Sequence, residues 1–557
     1  MTKTVIIGGV AGGATAATRL RRNDEEMEIL VLERGEYISY ANCGLPYYIG
    51  GVIKHRSSLL LQTKEAMKKK YNIEVRTKHE VTEIIPEEKK VIVFDYAVKK
   101  TYEETYDQLI IATGSSPVKP PIAGIDGENI FTLWTVPDTD EIARFIEQSH
   151  VKKAAIIGGG FIGLEMAENL VMAGLDVTLI ELENQVMTTL DYEMARILHK
   201  NLAKHKVECI LSDGVKAFHH NEKKTTIELM SGKKTEVDLV ILAMGVKPNS
   251  ELAKQANIAT NSRGGIVVDE YFKTSKEYIY AVGDVIEVEH AVTGDKTMIP
   301  LAGPANKQAR MLADTLTGRA TKYKGTLGTS VAKIFDFHVA TVGVNEKYFI
   351  KQGKKKGVDY ETALIVQKSH AGYYPGATAL VLKMIFEKNG KILGAQVIGK
   401  EGVDKRMNTI ATVIRLNGTI SDLTELELAY APPFSSAKDP VNMLGYVAEN
   451  ICDNKVSFIS WEEVLQKLEQ KQKDFILLDV TEEMERQQFQ IEDAMWIPFS
   501  QIRQRYEELG KEKEICIYCA IGVRAYNIAR MLKQKGYDNV KVIEGGSTFY
   551  QLAGYGK

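Results

Sequence analysis

The sequence predicts an α/β chain of several domains, on three observations. A strand–glycine turn–helix–strand unit opens it (residues 4–33), a second copy of that unit follows at 154–181, and a fresh strand–helix alternation begins after residue 456. A chain of 557 residues is too long for one hydrophobic core. With 44% hydrophobic and 26% charged residues it has the balance of a water-soluble globular protein. A net charge of −2, with no long basic stripe, argues against a nucleic-acid partner. No run approaches the ~18 apolar residues of a membrane span, and no charged and apolar leader precedes the first strand, so the expectation is a cytoplasmic protein without a membrane partner.

The first unit reads TVIIGG, a glycine turn, ATAATRLRR and EILVLE; the second reads AAIIGG, a glycine turn, LEMAENLVMAG and DVTLIE. Between and after them, QLIIATGSSPVKPP (108–121), DLVILAMGVKPN (238–249) and YIYAVGDV (278–285) are strands that end in glycine. From about 326 to 446 the texture changes to strands such as ALVLKMIFE and ILGAQVIG, with a helical run near 402–416. The last unit reads helix (WEEVLQKLEQ), strands (FILLDV, EICIYCA), helix (RAYNIARMLKQKG) and strand (NVKVIEGG), a small α/β domain of its own.

The second glycine turn, Gly158-Gly159-Gly160-Phe161-Ile162-Gly163, is a complete dinucleotide fingerprint in the required context between strand and helix. Glycines permit the tight turn and close backbone approach, and the helix N-terminus receives a pyrophosphate. Glu181 ends the next strand, where its carboxylate would accept a ribose 2′-OH and repel a 2′-phosphate. That favours NADH and leaves NADPH open. The first turn, Gly8-Gly9-Val10-Ala11-Gly12-Gly13, has Val10 in place of the middle glycine, but Glu33 at the end of EILVLE restores the pattern. The segments IIATGSSP and YIYAVGDV resemble the flavin-contacting segments of two-dinucleotide-domain flavoproteins. That resemblance implies FAD in the first site, with Asp284 on the ribityl chain. It places Gly8, Gly12, Gly13, Glu33, Arg34, Asn42, Ala112, Thr113, Gly114, Gly283, Asp284 and Ala302 around FAD. NAD(P)H is then left to Gly158, Gly160, Phe161, Ile162, Gly163, Glu181 and Gly245.

The five cysteines, Cys43, Cys209, Cys452, Cys516 and Cys519, are odd in number and scattered, which is not a disulfide framework. Cys43 lies in Ser-Tyr-Ala-Asn-Cys-Gly-Leu-Pro-Tyr-Tyr (39–48), a loop suited to a reactive thiolate. Here residues 1 to about 446 resemble the pyridine nucleotide–disulfide oxidoreductases. Glutathione-reductase-type members carry a second cysteine five positions on, where this chain has Tyr48. Cys43 can therefore be stored oxidised only as a mixed disulfide, sulfenate or persulfide. The peroxide- and oxygen-reducing branch usually has a histidine where Ala11 stands. The loop instead is similar to the coenzyme A disulfide reductase branch, which implies coenzyme A contacts from Thr15, Arg19, Arg22, Ser39, Asn42, Asn306 and Lys438. LAYAPPFSSAKDPVNMLGY (428–446) and SHAGYYPGA (369–377) match the same branch. Through Tyr430, and Tyr373 or Tyr374, they imply a homodimer whose tyrosines assist the sulfur chemistry.

LLDVTEEME (477–485) and CAIGVRA (519–525) resemble rhodanese domains. In the loop from Cys519 to Arg524, inward N–H groups beside a helix N-terminus would lower the cysteine's pKa and stabilise a persulfide anion, with Arg524 adding positive charge. The usual Asp-Val-Arg is Asp479-Val480-Thr481 here, and the usual Gly-His-Ile is Phe489-Gln490-Ile491. Cys516, on the strand EICIYC, reads as core.

The architecture expected is two Rossmann-like dinucleotide-binding domains, an α+β dimerisation domain and a small α/β rhodanese domain. The FAD-binding domain spans 1–118 and 246–325, the NAD(P)H-binding domain 119–245, the dimerisation domain 326–446 and the rhodanese-like domain 456–557. The expected activity is FAD-dependent reduction of coenzyme A disulfide, coenzyme A persulfide or polysulfide by NAD(P)H through Cys43, with Cys519 handling persulfide sulfur. No metal is called for. An NADH oxidase or peroxidase cycling a Cys43 sulfenate, and a sulfur-relay or redox-sensing protein, are the other readings.

Overall fold

The computed structural model describes residues 2–221 and 224–556. The chain divides into two compact units, Met1–Asn184 with Lys206–Gly328, and Gln185–His205 with Thr329–Lys557.

The first unit holds two five-stranded parallel sheets. In one, the order is Ile279–Ala281, Gln108–Ile111, Lys3–Ile7, Glu28–Glu33 and Glu74–Thr77. In the other it is Glu208–Ile210, Asp176–Ile180, Lys153–Ile157, Leu239–Leu242 and Ile130–Thr132. The central strands are unbroken apolar runs because each parallel sheet is covered on both faces; Val5, Ile6, Ala154, Ala155 and Ile156 are wholly buried. Each sheet carries a three-stranded antiparallel appendage, His79–Ile85/Lys90–Asp95/Lys100–Thr105 and Val215–Asn221/Lys224–Leu229/Lys234–Val237. The duplication seen in the glycine turns thus extends to whole domains. The chain leaves the first sheet along Ser115–Pro117 and returns along Val246–Pro248, and these segments pair antiparallel.

The helix Ala11–Asn23 buries Ala16, Ala17 and Leu20. Buried Arg21 ends it by donating to the carbonyls of Asp24, Glu25, Met27, Tyr71 and Asn72. These carbonyls lie just past this helix and at the end of the helix Lys64–Tyr71.

In the second unit, a five-stranded antiparallel sheet runs Ser330–Ile334, Phe337–Gly343, Ile392–Gly399, Ala379–Phe386 and Glu361–Lys368. The helix Tyr192–Lys204 belongs to this unit. Buried Lys383 ion-pairs with Asp191 (2.8 Å) and also meets Glu193 and Glu346. Asp191 and Gln396 exchange two hydrogen bonds of 2.7 and 2.8 Å. A lysine occupies the centre of this acidic group, so the three carboxylates answer one cation of the protein itself.

The C-terminal sheet is parallel, ordered Phe458–Ile459, Val540–Ile543, Glu514–Tyr518, Phe475–Asp479 and Met495–Trp496. Asp479 is wholly buried. Thr481, standing where an arginine was the family expectation, donates to it from N (2.9 Å) and Oγ1 (2.6 Å). The missing guanidinium comes instead from Arg486, 3.0 Å from Asp479 Oδ2 and lying over the Trp496 ring at 5.1 Å. Among the described residues, no helix is long and apolar enough to cross a membrane.

Arg486→Met leaves a buried carboxylate without its cation, and this should cost about 3 kcal/mol of stability. Urea unfolding followed by tryptophan fluorescence measures it; a loss within experimental scatter would mean that Thr481 alone satisfies Asp479.

Candidate active site

The two glycine turns repeat one geometry. Gly8 has φ +99° and Gly158 +108°. A Cβ on Gly8 would lie 2.4 Å from the Ala112 carbonyl oxygen, and one on Gly158 would lie 2.4 Å from that of Ala243. Gly13 and Gly163 press on the carbonyls of Gly8 and Gly158, so that a Cβ would fall at 1.8 and 2.0 Å. The helices that follow, Ala11–Asn23 and Phe161–Met172, begin without a side-chain cap. The helices after Thr135 and Ser460, by contrast, are capped. Uncapped N–H groups at both turns suit a pyrophosphate. Val10, in the middle-glycine position, is itself the N-cap residue.

Glu33 accepts the N–H of Gly9 (2.8 Å) and of Gly35 (2.7 Å). Glu181 accepts the N–H of Gly159 (2.6 Å) and of Glu183 (2.9 Å). Each carboxylate is thereby held beside its turn before any ribose arrives. A cavity of about 610 Å³ opens along the first turn, lined by Gly8, Glu33, Arg34, Thr113 and Ser116 among others. Thr113 Oγ1 donates to the Asn249 carbonyl at 2.7 Å, and Ala112 N–H to Ile7 at 2.9 Å. Gly114 and Gly245 have positive φ with open space where a Cβ would stand. Gly12 lies against Val282, Gly283 N–H donates to Gln308 at 2.8 Å, and Ala302 starts the helix Ala302–Leu316. Asp284 accepts from Ser115 Oγ at 3.1 Å, and burial raises its pKa. A buried carboxylate with a single hydroxyl donor has acceptor capacity left for a polyol such as a ribityl chain. An uncapped helix and an anchored acid fit a dinucleotide in each half, and the first half adds the cavity.

Cys43 sits in a 3₁₀ turn, Asn42–Gly44, that runs into the helix Leu45–Ile49. Ser39, in the left-handed region at φ +45°, donates its N–H to Gly9 at 2.9 Å, which ties the cysteine loop to the first glycine turn. Asn42 Nδ2 reaches the Trp134 carbonyl at 3.4 Å. Desolvation, then the carboxylates of Glu165 and Asp284, push the Cys43 thiol up. Glu165 and its partner Tyr47 escaped the sequence reading. Tyr47 Oη donates to Glu165 Oε1 at 3.2 Å, and burial lifts Glu165 to about 7. Glu165 lies two residues beyond the last fingerprint glycine, on the helix that packs against Leu45–Ile49. An acid on the inner face of that helix was the available signal.

Of the residues expected to meet coenzyme A, Thr15 and Asn306 are brought together at 2.5 Å across two helices. Arg19 is engaged by Asp314 at 2.6 Å, whereas Arg22 is exposed. A joint phosphate clamp by the two arginines is therefore not preformed. Ser39 and Asn42 flank Cys43. In the second unit, Tyr373 and Tyr430 share a hydrogen bond of 2.7 Å between their hydroxyls. Tyr374 instead packs edge-on against His370. Lys438 is exposed on the segment after Tyr430.

Cys519 follows the strand Glu514–Tyr518 and is 1% exposed. Its sulfur accepts the Gly522 N–H at 3.2 Å, and Gly522 has φ +96°. The loop is backed by Ser547 and Thr548, whose N–H groups donate to the carbonyls of Cys519 and Ala520, both at 2.9 Å. A Cβ on Gly546 would stand 2.2 Å from the Cys519 carbonyl oxygen. Arg524 forms two contacts of 2.6 Å with Glu485, so its positive charge is matched by an acid. Cys516 is buried, and its thiol is pushed up to about 12 by that burial.

Comparison with known proteins agrees with this geometry. The model of the pyridine nucleotide-disulphide oxidoreductases matches residues 2–309, that of their dimerisation domain 329–440, and that of the rhodanese-like domain 460–553. The coenzyme A disulfide reductase of Staphylococcus epidermidis is 37% identical over 451 residues, covering 81% of this chain and 100% of that protein. The crystal structure of reduced Bacillus anthracis CoADR-RHD superposes with a TM-score of 0.94 at 50% identity, covering 99% and 98% of the two chains. An NAD-dependent persulfide reductase from A. fulgidus superposes with a TM-score of 0.92 at 38% identity, over 98% and 100%. With its paired nucleotide turns and single-cysteine loop, this chain belongs to the pyridine nucleotide-disulphide oxidoreductase family and carries a rhodanese-like domain.

Proposed function

We propose that this protein uses FAD and NADH to reduce sulfur–sulfur bonds of coenzyme A, in its disulfide and persulfide forms, with Cys519 as the sulfane-sulfur carrier. One observation carries the reading: a lone reactive-loop cysteine, tethered to the first nucleotide turn through Ser39, with acids of both nucleotide-binding halves, Asp284 and Glu165, acting on its sulfur. The names borne by the relatives, coenzyme A disulfide reductase and persulfide reductase, support it.

Bound FAD supplies the two-electron passage between nicotinamide and sulfur. Glu33 and Asp284 hold the FAD ribose and ribityl hydroxyls. Glu181, anchored by Gly159 and Glu183, takes the ribose 2′-OH of NADH and disfavours a 2′-phosphate. Cys43 Sγ attacks one sulfur of the disulfide; the S–S bond breaks, one coenzyme A thiolate leaves, and a Cys43–coenzyme A mixed disulfide remains. Two electrons and a proton then release the second thiol. Thr15, Asn306, Arg22 and Lys438 are the coenzyme A contacts. In a homodimer, the hydrogen-bonded hydroxyls of Tyr373 and Tyr430 donate the proton to a departing thiolate. All five cysteines are free, which fits a reducing, cytoplasmic setting.

Glu165 tunes the nucleophile. Its carboxylate opposes ionisation of the Cys43 thiol, and burial lifts its own pKa to about 7, so that opposition sets in as Glu165 loses its proton near neutral pH. Glu165→Gln removes a negative charge from beside the sulfur, lowers the Cys43 pKa and shifts the pH profile of Cys43 alkylation to lower pH. An unshifted profile would sink this coupling.

Cys43→Ser should reduce NADH-driven turnover of coenzyme A disulfide by ~10³-fold or more, the scale on which removing a nucleophile acts; a variant turning over at the wild-type rate would refute the reading. Anaerobic NADH oxidation by Cys519→Ser, with coenzyme A disulfide and coenzyme A persulfide in parallel, tests the second cysteine. We expect disulfide turnover to persist and persulfide turnover to fall. Equal turnover on both would make the reductase self-sufficient on soluble coenzyme A species.

A further inference from the structure

The Cys519 site carries a charge arrangement that its persulfide role does not require. Arg524 also interacts with the Cys519 sulfur. Both terminal nitrogens of that guanidinium are engaged by Glu485, Nη1 to Oε2 and Nη2 to Oε1, each at 2.6 Å. Such a fork-to-fork pair uses the geometry by which arginine otherwise grips an incoming oxyanion. Glu485 is itself held. Its Oε2 accepts the Glu482 N–H at 3.0 Å, and the Glu482 carboxylate accepts Ser500 N–H and Oγ, both at 3.0 Å. The flanking side chains, Val523 beside Arg524 and Met484 beside Glu485, are apolar and exposed. The guanidinium is therefore neutralised, and the side chains next to the pair in sequence are apolar.

We infer that Glu485 sets the donor specificity of Cys519, holding Arg524 away from doubly charged oxyanion donors such as thiosulfate and leaving the site to organic persulfides. This rests on Cys519 being the sulfur carrier. With an organic persulfide, the Cys519 thiolate attacks the outer sulfur, the S–S bond breaks with its electron pair on the departing thiolate, and Cys519 becomes a persulfide. With thiosulfate, the same attack on the outer sulfur expels sulfite. The products balance in both cases, but the second route brings a dianion against Glu485, and its sulfonate oxygens need the guanidinium that Glu485 occupies.

The test loads Cys519 in the full-length protein, with Cys43 blocked by alkylation, from glutathione persulfide and from thiosulfate. Gain of one sulfur atom at Cys519 is read by mass spectrometry. Steady-state thiosulfate:cyanide sulfurtransfer supplies KM and kcat. Glu485→Gln keeps the size and the Glu482 hydrogen bond but frees the charge of Arg524. It should lower the thiosulfate KM about tenfold, the effect of one charge-assisted contact, and raise the ratio of thiosulfate to persulfide loading. Glu485→Asp, which keeps the charge, should show no such gain. Loading from persulfide with no gain in Glu485→Gln overturns the inference alone, as does an equal gain in Glu485→Asp. Failure of Cys519 to accept sulfur from either donor overturns both the inference and the carrier role beneath it.

Discussion

Backbone packed directly on backbone is the constraint from which the nucleotide-binding halves follow. At Gly8 and Gly158 a strand must turn into a helix within van der Waals reach of the carbonyl that ends the neighbouring strand, and a Cβ at 2.4 Å forbids any other residue. Gly13 and Gly163 repeat the demand one helical turn later. Because the helix comes so close, its unsatisfied N–H groups face the C-terminal edge of the sheet, where an anion can use them. Glu33 and Glu181 then settle against the same turns through backbone donors. The cysteine loop is hung from the first turn by one hydrogen bond, Ser39 to Gly9, so the reactive sulfur inherits its position from the glycines.

The electrostatics around Cys43 and Cys519 differ in kind. At Cys43 desolvation and two carboxylates oppose ionisation, and Glu165, poised near neutrality with Tyr47 on its oxygen, makes that opposition dependent on pH. A sulfur that must be protonated at one stage and nucleophilic at another benefits from a neighbour that changes charge in the same range. At Cys519 the sulfur is buried and receives a backbone N–H, while the nearby guanidinium is balanced by a fixed acid. The first site is tuned by titration, the second by geometry.

The C-terminal domain is also fastened at the segment that supports its loop. Lys356 of the antiparallel domain pairs with Glu544 at 3.1 Å, immediately before the Gly545-Gly546 turn behind Cys519. Arg196 donates to the carbonyls of Ala553 and Gly554 at 3.0 and 2.9 Å and lies over the Tyr555 ring. A domain held at several points along one edge keeps its loop in a constant place within this unit.

Local sequence determined much of this molecule. Glycine turns, strand-length apolar runs and the acids ending the second strands are short-range signals, because the φ angles and close approaches that demand glycine lie within one strand–turn–helix unit. The loop around Cys43 and the loop from Cys519 to Arg524 were legible for the same reason. Long-range pairings were not. Arg19 read as a phosphate ligand from its place on the helix, but Asp314, nearly three hundred residues on, claims it. The thiolate expected at Cys43 required knowing that Glu165 and Asp284 converge on the sulfur. That Arg486 reaches Asp479 in place of an arginine at residue 481, and that the hydroxyls of Tyr373 and Tyr430 meet, shows only in the folded chain. Sequence by itself sets which chemistry is present, since that depends on residue type and local backbone. Only the tertiary structure decides which charges meet, since a Coulomb interaction depends on distance in space and takes no account of distance along the chain.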